Sequence, residues 1–183
     1  MKVLKTDIKD LLIIEPQIFG DHRGWFFESY SKLKLMEHGL ECDFVQDNQS
    51  FSAQKGTLRG LHFQLNPKAQ AKLVRCTRGA ILDVAVDLRK GSPTYKKWLS
   101  IELSADNKKQ YFIPKGFAHG FLALTDDVEV QYKTDEYYAP ECDRSIAYND
   151  GELDVQWGID HPILSEKDKK APLLKDSDIN FVY

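Results

Sequence analysis

No stretch of this 183-residue chain approaches the roughly 20 consecutive apolar residues that a membrane-spanning helix requires. The opening residues, Met1-Lys2-Val3-Leu4-Lys5-Thr6-Asp7, lack the apolar core of a secretory signal. The three cysteines, Cys42, Cys76 and Cys142, are odd in number, far apart and in no C-x-x-C pair. That pattern fits small hydrophobes or surface thiols in a reducing compartment, and a cytoplasmic location is expected. An excess of one charge is also missing, since the net charge is −3 with both signs spread along the chain. This excludes a general attraction to nucleic acid or to anionic lipid, but leaves room for a local cationic site for one phosphorylated ligand. Repeats, low-complexity tracts and Pro/Gly/Ser linkers are absent too, so a single domain over residues 1–183 is expected.

What is present is a globular composition, 42% hydrophobic and 29% charged. Short runs of β-branched, aromatic and aliphatic residues alternate with turn signals. In Ala80–Leu88, Leu82, Val84, Val86 and Leu88 share one face and Asp83, Ala85 and Asp87 the other, which predicts a half-buried strand. Further strands are predicted at Leu11–Glu15, Trp25–Ser29, Val45–Ser50, Leu58–Gln64, Lys72–Thr77, Trp98–Leu103, Gln110–Ile113, Gly120–Leu124 and Glu129–Lys133. Ser31 and Gly39 bracket a short helix over Lys32–His38, and a second helix begins at Ser165. Many closely spaced strands with few helices predict an all-β sandwich or jelly roll, with its core at about residues 20–150. An N-terminal strand and a short helical C-terminal segment flank that core.

Several polar residues interrupt apolar strand faces. In an extended Leu58–Gln64, His62 lies on the face opposite Arg59, so the two serve one site only if a bulge intervenes, and Gly60 is the natural place for it. A lone strand histidine is more often a hydrogen-bonded core or surface residue than a base. Lys72 alternates with the apolar Val74 and Cys76, where a snorkelling lysine is the ordinary reading and an inward cation facing a carbonyl oxygen the functional one. Tyr132 shares a face with Val128 and Val130, as a core tyrosine or as a general acid inside a cavity. His119 enters the apolar run Phe117–Phe121. Asp168, three residues after Ser165, reads locally as a helix start, and alternatively as an acid that fixes the tautomer of His62. Around Phe19–Ser29, a hairpin turn accounts for the glycines. There Arg23, with Arg59, offers forked contacts to phosphate, while Phe26 or Tyr138 offers a stacking surface for a base.

Taken together, Phe19–Gly24, Phe44–Asn48, Leu58–Gln64, Lys72–Cys76, Ile113–Phe121 and Leu164–Asp168 closely resemble the dTDP-4-dehydrorhamnose 3,5-epimerase family. The likeness runs from about Leu4 to Leu174. It implies a homodimeric, cupin-like double-stranded β-helix that needs no metal, nicotinamide or flavin and acts on a dTDP-linked 4-keto-6-deoxy sugar. By that resemblance His62 is the base, Asp168 its partner, Tyr132 the proton donor and Lys72 the enolate-stabilising cation. His119 matches a substrate contact. Arg23, Glu28, Gln46, Asn48, Arg59 and Lys167 match positions that bind the nucleotide sugar, with Asp47 beside them in the Gln46-Asp47-Asn48 motif. Some of these contacts come from the second subunit in the family. Asp143 occupies a nucleotide-contacting position that can be Glu, and Gln49 stands where related sequences carry His.

Three rivals stay open on sequence. A metal-dependent cupin usually takes two ligands from an H-x-H pair, and His22, His38, His62, His119 and His161 include none. A non-catalytic sugar-nucleotide binder explains Arg23 and Arg59 but not three inward polar groups on apolar faces. An epimerase acting at C3 alone or C5 alone would share the same proton-transfer residues.

Overall fold

In the computed structural model, which describes residues 1–183, the alternating runs become thirteen strands. They are β1 (Lys2–Lys5), β2 (Leu12–Glu15), β3 (Phe19–Asp21), β4 (Gly24–Phe26), β5 (Gln46–Ser52) and β6 (Leu58–Gln64). After these come β7 (Lys72–Arg78), β8 (Ala80–Asp87), β9 (Trp98–Ser104), β10 (Gln110–Ile113), β11 (Phe117–Ala123), β12 (Val128–Thr134) and β13 (Asp143–Ser145). A six-stranded sheet has the order β1-β2-β10-β7-β12-β5, a five-stranded sheet the order β13-β6-β11-β8-β9, and β3-β4 forms a separate hairpin. All strand pairs are antiparallel, and the fold is the expected all-β jelly roll. β1 and β2 extend the first sheet, so the sheets begin well before residue 20.

The two helices are short. α1 (Lys32–Met36) starts at Ser31, whose hydroxyl accepts the Lys34 N–H. It ends two residues before the predicted His38, because the His38 and Gly39 N–H groups reach back to Leu35 and Met36 in three-residue turns. α2 (Glu166–Lys169) starts, as predicted, at Ser165.

Between the sheets, Val74, Cys76, Ile81, Ala85, Phe121, Val128 and Val130 form the inner core. β8 departs from the half-buried strand expected from its alternation, because both of its faces are covered. Ile81, Asp83 and Ala85 point between the sheets, while Val84, Val86 and Leu88 pack under a C-terminal strap that contributes Ile146, Leu153, Trp157 and Phe181. Asp87, read as part of a polar face, is fully buried and holds Arg89, Ser92 and Thr94.

The pairing of β6 with β11 sets His62 opposite His119 and Arg59 opposite Phe121. Three steps on β6 thus match two on β11, and the extra residue is taken up at Gly60-Leu61. This is the bulge that lets Arg59 and His62 face inward together while Leu58, Leu61 and Phe63 face the strap. Gly60 has φ +130°, and a Cβ there would stand 2.5 Å from the Gly120 Cα. Gly60→Ala is therefore expected to lower unfolding free energy by about 2–4 kcal/mol in urea titration. Gly151→Ala, where a Cβ meets nothing within 4 Å, should stay within about 0.5 kcal/mol of the parent. Equal stability of the two variants would remove the steric account of the bulge.

Candidate active site

The two sheets leave a polar cavity of about 200 Å³ at one end of the inner core. β6 and β11 supply His62, Arg59 and His119 from the second sheet, and β7, β12 and β5 supply Lys72, Tyr132 and Ser50 from the first. α2 closes it with Asp168.

His62 Nε2 lies 2.6 Å from Asp168 Oδ1, across 106 residues of sequence. Burial by itself pushes the Asp168 carboxyl up. The hydrogen bond and charge of His62, the Ser165 hydroxyl and the Gly60 N–H outweigh it and hold the group below its usual range. An ionised Asp168 requires the proton on Nε2. That leaves Nδ1, which has no hydrogen-bond partner in the protein, as the basic nitrogen.

Lys72 is buried, and its ammonium makes no hydrogen bond or ion pair within the chain; it stands 5.9 Å from the centre of the Tyr132 ring. Desolvation lowers its pKa to about 8 against the opposing pull of Asp83 and Asp143, with Lys167 adding to the depression. Burial raises the Tyr132 pKa, so the phenol keeps its proton. Its hydroxyl also has no partner in the protein. Ser50 Oγ is wholly buried, makes no hydrogen bond, and borders this cavity. Folded proteins leave few such atoms unpaired, so unpaired groups converging on one cavity mark a place where a polar ligand completes them.

Asp83 was hidden among the residues read as a polar strand face. It is fully buried, with both carboxylate oxygens 3.0 Å from His119 Nε2. Burial lowers the His119 pKa despite Asp83, and Lys72 and His62 lower it further, so the ring is held neutral. A signal was available: Ile81 and Ala85 flank Asp83 on its own face, and an acid on a doubly apolar strand needs a buried partner. Ser50 carried no comparable signal.

The nucleotide-binding candidates divide. Arg59 donates to Ser52 Oγ at 3.1 Å and to the Phe51 carbonyl at 2.8 Å, beside the cavity. Lys167 pairs with Asp143 at 2.5 Å, and the Tyr138 hydroxyl donates to that carboxylate at 3.4 Å. Gln46 donates to Asn48 and accepts the Tyr138 N–H, while Asn48 and Asp47 border a neighbouring polar groove of about 370 Å³. Of these candidates only Arg59 lines the cavity within one chain. Arg23 is exposed and paired with Asp21, Phe26 is exposed on the β3–β4 hairpin, and Glu28 pairs with Lys34. No group of three His, Cys, Asp or Glu side chains is placed to hold a metal ion.

A family model described as dTDP-4-dehydrorhamnose 3,5-epimerase matches residues 5–176. The chain is 53% identical over 176 residues to the enzyme of that name from Escherichia coli K12, covering 93% of this chain and 92% of that one. It is also similar to a crystal structure of the Bacillus anthracis enzyme with TDP and PPi bound. That comparison gives a TM-score of 0.93 at 54% identity, over 94% of this chain and 99% of the other. The Legionella pneumophila enzyme in complex with dTDP-4-keto-L-rhamnose superposes with a TM-score of 0.92 at 47% identity, over 97% and 94% of the two chains.

The buried cation has a thermodynamic consequence. Unfolded, Lys72 holds its proton to about 10.5, but folded only to about 8. The folded state is therefore penalised below pH 8, and stability from this group rises between pH 8 and 10.5. Lys72→Met is expected to raise unfolding free energy at pH 7 by about 1–3 kcal/mol and to flatten that rise. Chemical denaturation at pH 7 and pH 10 measures both. A less stable variant would mean that Asp83 repays the desolvation of the lysine in full.

Proposed function

The chain belongs to the dTDP-4-dehydrorhamnose 3,5-epimerase family, and on that premise we propose that it inverts C3 and C5 of dTDP-4-dehydro-6-deoxy-D-glucose to give dTDP-4-dehydro-L-rhamnose. The observation that carries this reading is the placement of base and acid on opposite sheets. His62 reaches the cavity from β6 and Tyr132 from β12, so a ring held between the sheets has one on each side. Inversion at carbon asks for that arrangement: a proton leaves one face and another arrives on the other.

The 4-keto group acidifies the C–H bonds at C3 and C5. Nδ1 of His62 takes one of these protons, and Asp168 stabilises the imidazolium that results. Negative charge then develops on the keto oxygen, where the desolvated Lys72 ammonium is its counter-charge. Tyr132 delivers a proton to the opposite face. Once His62 has released its proton to solvent and Tyr132 has taken one up, repetition at the second carbon completes the double epimerisation, and all of these steps are proton transfers. The neutral His119, held through Nε2 by Asp83, offers Nδ1 to a sugar hydroxyl, and Ser50 Oγ offers a second contact.

The functional unit is a homodimer. Arg23, Phe26 and Glu28 sit on or beside a hairpin that exposes Phe19, Trp25 and Phe26, and a second copy brings such a hairpin to the nucleotide end of the cavity. Arg59 and Lys167 bind the diphosphate, Gln46, Asp47 and Asn48 the nucleoside end, and Tyr138 stacks on the base beside Asp143. The three free cysteines, two of them buried, accord with a cytoplasmic enzyme.

Incubation with the 4-keto-6-deoxy sugar nucleotide in D₂O, followed by NMR, is expected to place deuterium at both C3 and C5. Deuterium at one carbon would make the chain a single-centre epimerase, and none would overturn the reading. His62→Ala and Asp168→Ala should each lower kcat at least ~100-fold, while Tyr132→Phe should retain exchange and lose net inversion. Because the charged form of Lys72 is the active one, kcat/KM, which follows the ligand-free enzyme, should fall as pH rises through about 8. A rate that stays level to pH 10 would remove the lysine from the chemistry.

A further inference from the structure

The geometry points to Ser165 as the residue that positions Asp168, and through it His62, for proton abstraction. The Ser165 hydroxyl donates to Asp168 Oδ2 at 2.8 Å, and the Asp168 N–H donates back to Ser165 Oγ at 3.1 Å. These two bonds close a ring about one side chain, so turning the carboxylate breaks at least one of them. Oδ1 is left aimed at His62 Nε2, 2.6 Å away. The segment that carries Ser165 is itself tied to the strand that carries His62. Ile163 donates its N–H to the Gly56 carbonyl and accepts the Leu58 N–H, both at 2.9 Å.

Helix capping alone accounts for only half of this. An N-cap side chain needs to accept an N–H, and the bond from Asp168 N–H to Ser165 Oγ does that. The O–H donated to Oδ2 adds nothing to the helix start. It occupies the carboxylate oxygen that His62 does not use, which keeps the acid ionised and fixes its direction. The role rests on the proposed function, in that His62 is taken as the base.

Ser165→Gly separates the two roles, since glycine is tolerated at an N-cap but brings no hydroxyl. Ser165→Thr keeps both. The glycine variant is expected to lose about 10-fold in kcat with KM within about 2-fold, the scale on which outer hydrogen-bond partners act. Threonine should restore kcat to within about 3-fold of the parent. A second readout does not depend on turnover: the downfield proton resonance of His62 Nε2–H, assigned by its loss in His62→Ala. It should broaden or move upfield in Ser165→Gly and stay in place in Ser165→Thr. Unchanged kcat and an unchanged resonance in Ser165→Gly would overturn the inference, as would equal losses in the glycine and threonine variants. Absence of turnover in the parent protein would sink the proposed function, while the resonance would still decide the part played by Ser165.

Discussion

The 2.6 Å hydrogen bond between His62 and Asp168 depends on the longest excursion in the chain. Past β13, the strap runs with little regular secondary structure over the outer face of the five-stranded sheet before it returns to β6. What holds it there is apolar burial. Ile146, Leu153, Val155, Trp157, Leu174, Ile179 and Phe181 cover Leu58, Leu61, Phe63, Val84 and Val86, which would otherwise face water. At roughly 1.5–3 kcal/mol for each large side chain, that burial can order a segment that meets the strands only at isolated bridges, Ile163 to Thr57 and Val182 to Lys90. Asp150 helps by taking the N–H groups of Glu152, Leu153 and Leu174, so the irregular backbone is not left unpaired. The dyad is thus a product of how the second sheet is covered.

Charge is distributed in the cavity so that no group is merely tolerated. Each histidine is held at Nε2 by a carboxylate, yet the two differ in access. His62 remains partly open, whereas His119 is buried with Asp83 and kept neutral by desolvation and by its cationic neighbours. Lys72 and Arg59 face the same space without a carboxylate in hydrogen-bond contact. A positive field in a poorly hydrated gap is the environment an enolate oxygen requires, and it is costly for the empty fold. With Lys72 in its proposed role, stability and chemistry pull against each other there, as is usual where a site is built ahead of its ligand.

The period-two pattern made most strands of both sheets legible and put Lys72 and Tyr132 on apolar faces, and the Ser165–Asp168 spacing marked the capped start of α2. For Arg59 and His62 the same pattern set a conflict, and the conflict located the bulge at Gly60 correctly. The failures have a common physical source. Alternation tells which residues share a face but not whether that face meets water, so Asp83 and Asp87 read as solvent-facing although the strap and the other sheet bury β8 on both sides. Short strands such as β1, β3 and β13 carry too few residues to show a period. Ser50 gave no signal, since an unpaired hydroxyl becomes informative only once its neighbours are in place.

The proposed function separates the reacting end of the site from the nucleotide end in a way that bears on catalysis. His62, Lys72, Tyr132 and Asp168 are set by strands, bulge and strap within one chain, around a single cavity. The hairpin bearing Arg23 and Phe26, by contrast, is exposed and joined to neither large sheet. On the proposed reading, contacts made there with a nucleotide do not touch the sugar carbons. They supply binding energy remote from the reaction, which can be used to hold the ring between the two sheets against the desolvated lysine. On the proposed reading, separate reacting and binding ends suit a double inversion, because one set of proton-transfer groups must serve two carbons while the nucleotide stays anchored.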